Sequence, residues 1–225
     1  MTEGTQGTTR RWKGMVIPAA GTYVLDAAHK RVGFTAHHMM VSQVRGEFSA
    51  AAATIRVGDD PLDSQVTATI RTRTLTTQNE DRDTHLRSAD FLDVERWPTI
   101  EFRSSRVERR VAEDAIAQWA RLRNHLPERS RVATELVERT VSVGGRFTVV
   151  GDLTVCGVTR EVPLDMHFGG ARRDPYGRDI FGFSATTDVN REDFGLSWNV
   201  ALEAGGWLVG KRVKVEISGE AVREV

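Results

Sequence analysis

The sequence predicts an all-β fold of about eight short antiparallel strands. Most segments show a period of two, as at 65–73, where Val66, Ala68 and Ile70 alternate with polar residues. Turn signals separate such segments, for example the Gly-Asp-Asp-Pro run at 58–61. The composition, 40% hydrophobic and 28% charged, is typical of a globular protein. A β-sandwich and a closed barrel both satisfy these observations.

The first half of the chain supplies the first group of strands. We predict short strands at 23–25 and 32–36, a long strand at 44–57 and another at 65–73. A run of alanines at 50–53 lies in the middle of the long strand. Small side chains at these positions leave space, either for close packing or for a ligand.

A short helix and a corner are predicted at 79–102, NEDRDTHLRSADFLDVERWPTIEF. The side chain of Asn79 can cap the first turn, and the acidic residues that follow it suit the positive end of a helix. Pro98 ends the helical tendency, because a residue that precedes proline prefers an extended backbone. We therefore predict a helix at 80–88, followed by a strand in which the period changes to two.

The β pattern is interrupted once, between the two halves of the chain. Residues 112–125 have helical spacing, and Ile116, Trp119 and Ala120 form an apolar stripe. We predict a helical insertion at 112–138. Three roles stay open for it: surface decoration, a lid over the mouth of a barrel, or a dimer contact.

The second half returns to strands. We predict a hairpin of strands at 146–155 and 159–168, then a strand at 179–189, and a last strand at 211–221 that closes the sheet. Asn190 is expected to cap a short helical turn between the last two strands.

We predict one domain at 21–225, preceded by a flexible leader at 1–20. Arg10 and Arg11 are not followed by the apolar core that a secretory or twin-arginine signal requires. No apolar stretch is long enough to span a membrane. These features favour a cytoplasmic location. The formal net charge of zero argues against a dedicated nucleic-acid binder, whose affinity depends on neutralising phosphates.

The histidines and the single cysteine predict neither a metal site nor a bound cofactor. His37 and His38 are adjacent on a predicted strand, so their side chains point to opposite faces. No pair of histidines has the helical spacing of a zinc enzyme, and Cys156 has no second cysteine to join it. The six histidines are His29, His37, His38, His85, His125 and His167.

Nucleophilic catalysis finds little support either, so we predict that the protein is not an enzyme. The Gly-Phe-Ser-Ala-Thr run at 182–186 lacks the second glycine of a nucleophile elbow. Cys156 has no histidine nearby in sequence to activate it. His38 continues the inward face of the 32–36 strand, where it either contacts a ligand or is a satisfied core histidine.

Four segments carry a recognisable signature: the helix-and-corner stretch at 79–102, DAAH at 26–29 followed by VGFTAHHMMVSQVRGEFS at 32–49, GDLTVCGVTREVPL at 151–164, and FGFSATTDVNREDFGLSWN at 181–199. Together they resemble the YceI-like family, which comprises lipocalin-like barrels associated with polyisoprenoid binding. The resemblance covers roughly residues 21–110 and 141–221.

The resemblance implies a closed, eight-stranded antiparallel lipocalin-like barrel. It also implies non-catalytic binding or transport of an amphiphilic isoprenoid, such as a quinone or a polyprenyl phosphate, a link with stress, and a homodimer. Many family members carry a signal peptide, and this sequence departs from that pattern. The inward faces of the predicted strands supply a candidate lining for the channel: Phe34, Ala36, His38, Met40, Ile70, Phe102, Phe147, Val149, Phe181, Phe183 and Trp198.

Two alternatives stay open from the residues alone. The inward side chains can simply fill the barrel, which would then serve as an interaction module with the insertion as its contact surface. The barrel can also be an enzyme that acts on a small apolar substrate. His38 and a buried carboxylate would then be the catalytic pair.

Overall fold

The computed structural model describes residues 8–39, 41–110, 145–201 and 208–224. The predicted insertion at 112–138 and the predicted lining residue Met40 lie outside these residues. The elements of the described chain are strands β1 (Thr9–Trp12), β2 (Met15–Pro18), β3 (Gly21–His38), β4 (Ser42–Phe48), β5 (Ala51–Val57), β6 (Gln65–Arg71) and β7 (Leu75–Thr76), helix α1 (Glu80–Arg87), and strands β8 (Thr99–Arg109), β9 (Gly145–Val155), β10 (Val158–Arg173), β11 (Asp179–Asn190) and β12 (Val209–Arg223).

Eight of these strands form a closed antiparallel barrel, as predicted. Their order around the barrel is β3, β5, β6, β8, β9, β10, β11 and β12, and β12 pairs back with β3. Every neighbouring pair is antiparallel, so the wall is a simple up-and-down meander. Closure removes the free edges that an open sheet would expose.

Strand β3 changes neighbours halfway along its length. Its first residues, 21–24, pair with β5, whereas residues 33–38 pair with β4. The segments predicted as separate strands at 23–25 and 32–36 are therefore one strand, because β12 supports both halves from the other side. The long strand predicted at 44–57 is instead two, since backbone bonds from Ser49 and to Ala50 anchor the chain to the 71–74 turn.

Helix α1 begins where the sequence predicts. The side chain of Asn79 accepts a hydrogen bond from the backbone N–H of Arg82 at 2.9 Å. Asp83 is buried and accepts hydrogen bonds from the backbone N–H and the hydroxyl of Thr77. It also accepts one from the hydroxyl of Thr76, at 2.9 Å. These bonds fix the helix to β7 at one end of the barrel. No helix of the described chain is long and apolar enough to cross a membrane.

Residues 9–18, which the sequence analysis assigns to a flexible leader, include two strands. Strands β1 and β2 form a hairpin, in which Met15 and Ile17 are 5% and 3% exposed. Both side chains join an apolar cluster with residues of the barrel, and Trp12 stacks on Phe147 with ring centroids 6.2 Å apart. The hairpin is ordered by these distant contacts, which a local pattern cannot reveal.

The registers define two ends of the barrel. At the lower end, β3 and β11 begin and β10 and β12 finish, with Arg223 opposite Tyr23 and Arg173 opposite Asp179. At the upper end, β3 finishes opposite the start of β12, with His38 opposite Val209. The β1–β2 hairpin packs against the lower half, and α1 with the following turn covers the upper end.

Candidate functional site

The barrel encloses a cavity of about 320 Å³. All eight barrel strands contribute to its wall, mostly with every second residue, as Val213, Val215 and Ile217 do in β12. All but two of the lining residues are apolar or glycine, the exceptions being Thr187 and Arg191. The inward side chains therefore do not fill the barrel, and what they leave is an apolar space.

Alanines on neighbouring strands explain why space remains. Ala53 of β5 lies directly opposite Ala68 of β6, and Ala68 lies opposite Phe102 of β8. Ala36 and Ala185 add two more short side chains to the lining. A protein interior is normally packed to crystal-like density, so a group of methyl side chains facing inward leaves a void unless larger neighbours cover it.

An aromatic cluster fills the lower end and forms the floor of the cavity. Tyr23 is 0% exposed and contacts Phe181 edge-on, with centroids 5.1 Å apart. The Tyr23 hydroxyl donates to the backbone oxygen of Ala19 at 2.9 Å, which satisfies its polar end. Phe181 and Ile55 belong both to this floor cluster and to the cavity lining. The buried members of the floor cluster are Met15, Ile17, Tyr23, Ile55, Val57, Phe147, Phe168, Phe181 and Ala221.

The roof of the cavity comes from turns rather than from barrel strands. Leu86 of α1, with Phe91 and Leu92 of the turn that follows, reaches the cavity from above. Phe194 and Leu196, which follow β11, complete this cover. The roof is thus built from short segments whose backbone is not part of the barrel ladder.

Cys156 lies beneath the roof. Its Sγ is 3.6 and 3.5 Å from the backbone oxygens of Phe91 and Leu92. Burial raises the pKa of the thiol, and the carboxylate of Asp93 raises it further. Since the thiolate is the reactive form, this environment suits a packing residue rather than a nucleophile.

Arg191 is the one charged residue of the described cavity lining, and it is 4% exposed. Its guanidinium donates to the backbone oxygens of Leu196, of Gly210 at 3.1 Å and of Val209 at 3.5 Å. Burial lowers the pKa of Arg191. These bonds join the end of β11, the roof and the start of β12, so the charge is used to hold the upper end together.

Seven predicted lining residues do line the cavity: Phe34, Ala36, Ile70, Phe102, Val149, Phe181 and Phe183. Phe147 points inward as predicted, but it lies within the floor cluster below the cavity. Trp198 lies above the roof, where its ring contacts those of His85 and Phe91 at centroid distances of 4.5 and 5.2 Å. His38, the last residue of β3, is not in the lining.

The prediction of the lining missed the roof. Phe91 and Leu92 are an adjacent apolar pair directly after a helix, which is a sign of a buried turn, but only the fold shows that the turn lies over a barrel. The lining also includes Val213, Val215 and Ile217, which alternate with polar residues in the predicted 211–221 strand.

One group of side chains in the described chain has a spacing compatible with a metal ion. Potential ligand atoms of Asp26, His29 and Glu220 lie within 4.8 Å of one another. The group is on the outer surface, and the side chain of His29 is 58% exposed. A hydrogen bond with His29 lowers the pKa of Asp26, and the same bond raises the pKa of His29. The three side chains therefore form an ion-pair cluster on the surface, and none of them is in the cavity lining.

Comparisons with known proteins agree with this architecture. Residues 23–221 match the model of the YceI-like domain. A UPF0312 protein of Staphylococcus epidermidis is 34% identical over 197 residues, which cover 87% of this chain and 94% of the relative. The structure of Burkholderia cenocepacia BcnA superposes with a TM-score of 0.60 at 15% identity, covering 87% of this chain and 98% of BcnA.

A third similarity is to a structure described as a polyisoprenoid binding domain from Saccharophagus degradans implicated in plant cell wall breakdown. Its TM-score is 0.58 at 11% identity, and the match covers 91% of this chain and 99% of that domain. At these identities the two solved structures establish a shared fold.

Proposed function

The chain belongs to the YceI-like domain family, and from this premise we propose that it binds an amphiphilic polyisoprenoid, such as a quinone or a polyprenyl phosphate, without catalysing a reaction on it. The isoprenoid tail would occupy the barrel cavity. The head group would lie toward the upper end, where the roof is made of turns.

The cavity carries this proposal. An apolar chain is bound chiefly by removal of its surface from water, and each buried methylene contributes about 0.8 kcal/mol. A lining with only Thr187 and Arg191 as polar members suits such a tail and offers little to a polar ligand. The volume of about 320 Å³ lies at the small end of the range for small-molecule sites, roughly 300–1,000 Å³.

The Saccharophagus domain supports the ligand class by analogy of fold. It is described as binding a polyisoprenoid, and it shares the barrel over nearly its whole length. Fold alone does not specify function, so the weight of the proposal lies on the apolar lining of this chain.

The same lining favours binding over catalysis. A catalytic pair of His38 and a carboxylate would have to meet in the cavity, but His38 does not line it. No described carboxylate lies within 4.0 Å of a His38 ring nitrogen. Transport, a stress link and a homodimer, which the family resemblance implies, stay predictions.

Native mass spectrometry of the freshly purified protein tests the ligand directly, with organic extraction to identify what is released. We expect an added mass that dissociates as an isoprenoid species. A clean apo mass after incubation with quinones and with polyprenyl phosphates would contradict the proposal and favour an interaction role for the barrel.

A further inference from the structure

Three exposed apolar side chains lie at the upper end of the barrel. Met39, Val41 and Val200 are 43%, 85% and 45% exposed, and they are three of the five large hydrophobic residues exposed in the described chain. Hydrogen bonds join their segments: the backbone N–H of Met39 donates to Leu208, and that of Leu208 donates to Val200, both at 2.9 Å. We call Met39, Val41 and Val200 the upper rim.

The upper rim borders the cavity. Val209 lines the cavity, follows Leu208 in the chain and lies opposite His38, the residue before Met39. Leu196, four residues before Val200, also lines the cavity. The exposed aliphatic surface and the apolar interior are therefore separated by only one or a few residues along each segment.

Two exposed arginines lie just below the upper rim. Arg45 and Arg212 are exposed, and each is next in sequence to a residue that faces inward, so both point outward. Within the described ranges, neither has a carboxylate within 4.0 Å, whereas Lys211 and Lys214 are paired with glutamates.

We propose that the upper rim docks on the surface of an anionic lipid bilayer. Exposed aliphatic residues with cations beside them are the combination that binds a negatively charged membrane interface, where the apolar groups enter the acyl boundary and the cations remain at the head groups. The inference rests on the proposed carrier function for its purpose, because a membrane-dissolved amphiphile would pass between the bilayer and the adjacent cavity without crossing water.

Vesicle co-sedimentation of the full chain tests the proposal. The vesicles contain phosphatidylcholine alone or mixed with phosphatidylglycerol. We expect binding to the mixed vesicles that falls at high salt. Val41→Asp should weaken it about tenfold, and Arg45→Gln and Arg212→Gln about fivefold each. Tyr176→Asp is the matched control: Tyr176 is also 85% exposed and lies in the β10–β11 turn at the lower end, so its replacement should leave binding unchanged.

Absence of wild-type binding to either vesicle would overturn the proposal, as would an equal loss with Val41→Asp and Tyr176→Asp. Self-association that Val41→Asp abolishes, without vesicle binding, would assign the rim to a second copy of the chain instead. Native mass spectrometry of Val41→Asp with added isoprenoid separates the two proposals. If the variant keeps the ligand but loses vesicle binding, docking is supported. If the wild-type protein binds vesicles but takes up no isoprenoid, only the carrier function is contradicted.

Discussion

The two ends of the barrel are built from the same kind of inward-facing strand residue, yet one is solid and the other hollow. At the lower end, Phe147, Phe168 and Phe181 meet the β1–β2 hairpin in a continuous cluster. Higher up, Ala53 and Ala68 lie side by side on neighbouring strands of the wall, and the space inside them stays open. Side-chain size and an added hairpin, rather than strand topology, therefore decide which part of this barrel supports the fold and which part can hold a ligand.

Phe147→Ala should show the largest effect, because it removes a large side chain from the solid end. We expect the free energy of unfolding to fall by about 3–5 kcal/mol, measured by urea denaturation. Phe183→Ala is the comparison, since Phe183 already borders the cavity and loses fewer packing contacts. Equal losses for the two variants would contradict the division into a solid and a hollow end.

Asp83→Asn tests the attachment of the roof and should cost about 1–3 kcal/mol. Burial alone would raise the pKa of Asp83, but its hydrogen bonds from Thr77 and Thr76 outweigh that effect and leave the pKa below 3.8, its usual value. A depressed folded-state pKa gives stability that is present above the unfolded value and is lost as the pH falls through the folded value.

The measurement for Asp83 is therefore thermal unfolding between neutral pH and the acid range below 3.8. We expect the stability difference between the wild type and Asp83→Asn to be full at neutral pH and to shrink in acid. A difference that does not vary with pH would show that the carboxylate charge is unimportant.

Ala68→Trp should fill the hollow end and weaken isoprenoid binding by about tenfold or more, since the indole competes for the apolar space. Native mass spectrometry with added quinone gives the occupancy. Ala27→Trp, on the exposed bend of β3, is the matched control and should bind as the wild type does. Unchanged occupancy in Ala68→Trp would place the ligand outside the cavity.

The smallest expected effect concerns Cys156, whose rate of alkylation measures how often the roof opens. Because burial raises the pKa of the thiol and Phe91 and Leu92 cover it, we expect alkylation in native protein to be about tenfold slower than in urea-unfolded protein. Mass spectrometry over time measures the rate. Bound isoprenoid should slow it further, and equal native and unfolded rates would show that the roof is open.

The sequence predicts the side wall of the barrel better than its two ends. Period-two alternation indicated which side chains face inward, and Phe34, Phe102 and Val149 lie in the wall of the cavity. It could not place residues along the barrel axis, and for that reason Phe147 was expected in the cavity and lies below it.

The hollow itself depends on register, which alternation does not specify. The pairing of Ala53 with Ala68 decides how much space remains, and it is known only from the folded chain. The β1–β2 hairpin was missed for a related reason. Its strands have four residues each, and the cluster that holds Met15 and Ile17 includes phenylalanines more than 100 residues away.

The change of neighbours in β3 has a mechanical consequence for the wall. β11 and β12 are joined by eleven residue pairs, whereas β3 and β5 share only four, from Gly21 opposite Val57 to Val24 opposite Thr54. Beyond Thr54, the side of β5 that faces β3 has no ladder partner in the described chain. Under a force applied across the strands, the barrel would open first along this short β3–β5 pairing, beside the alanines of β5, while the other strand pairs stayed hydrogen-bonded.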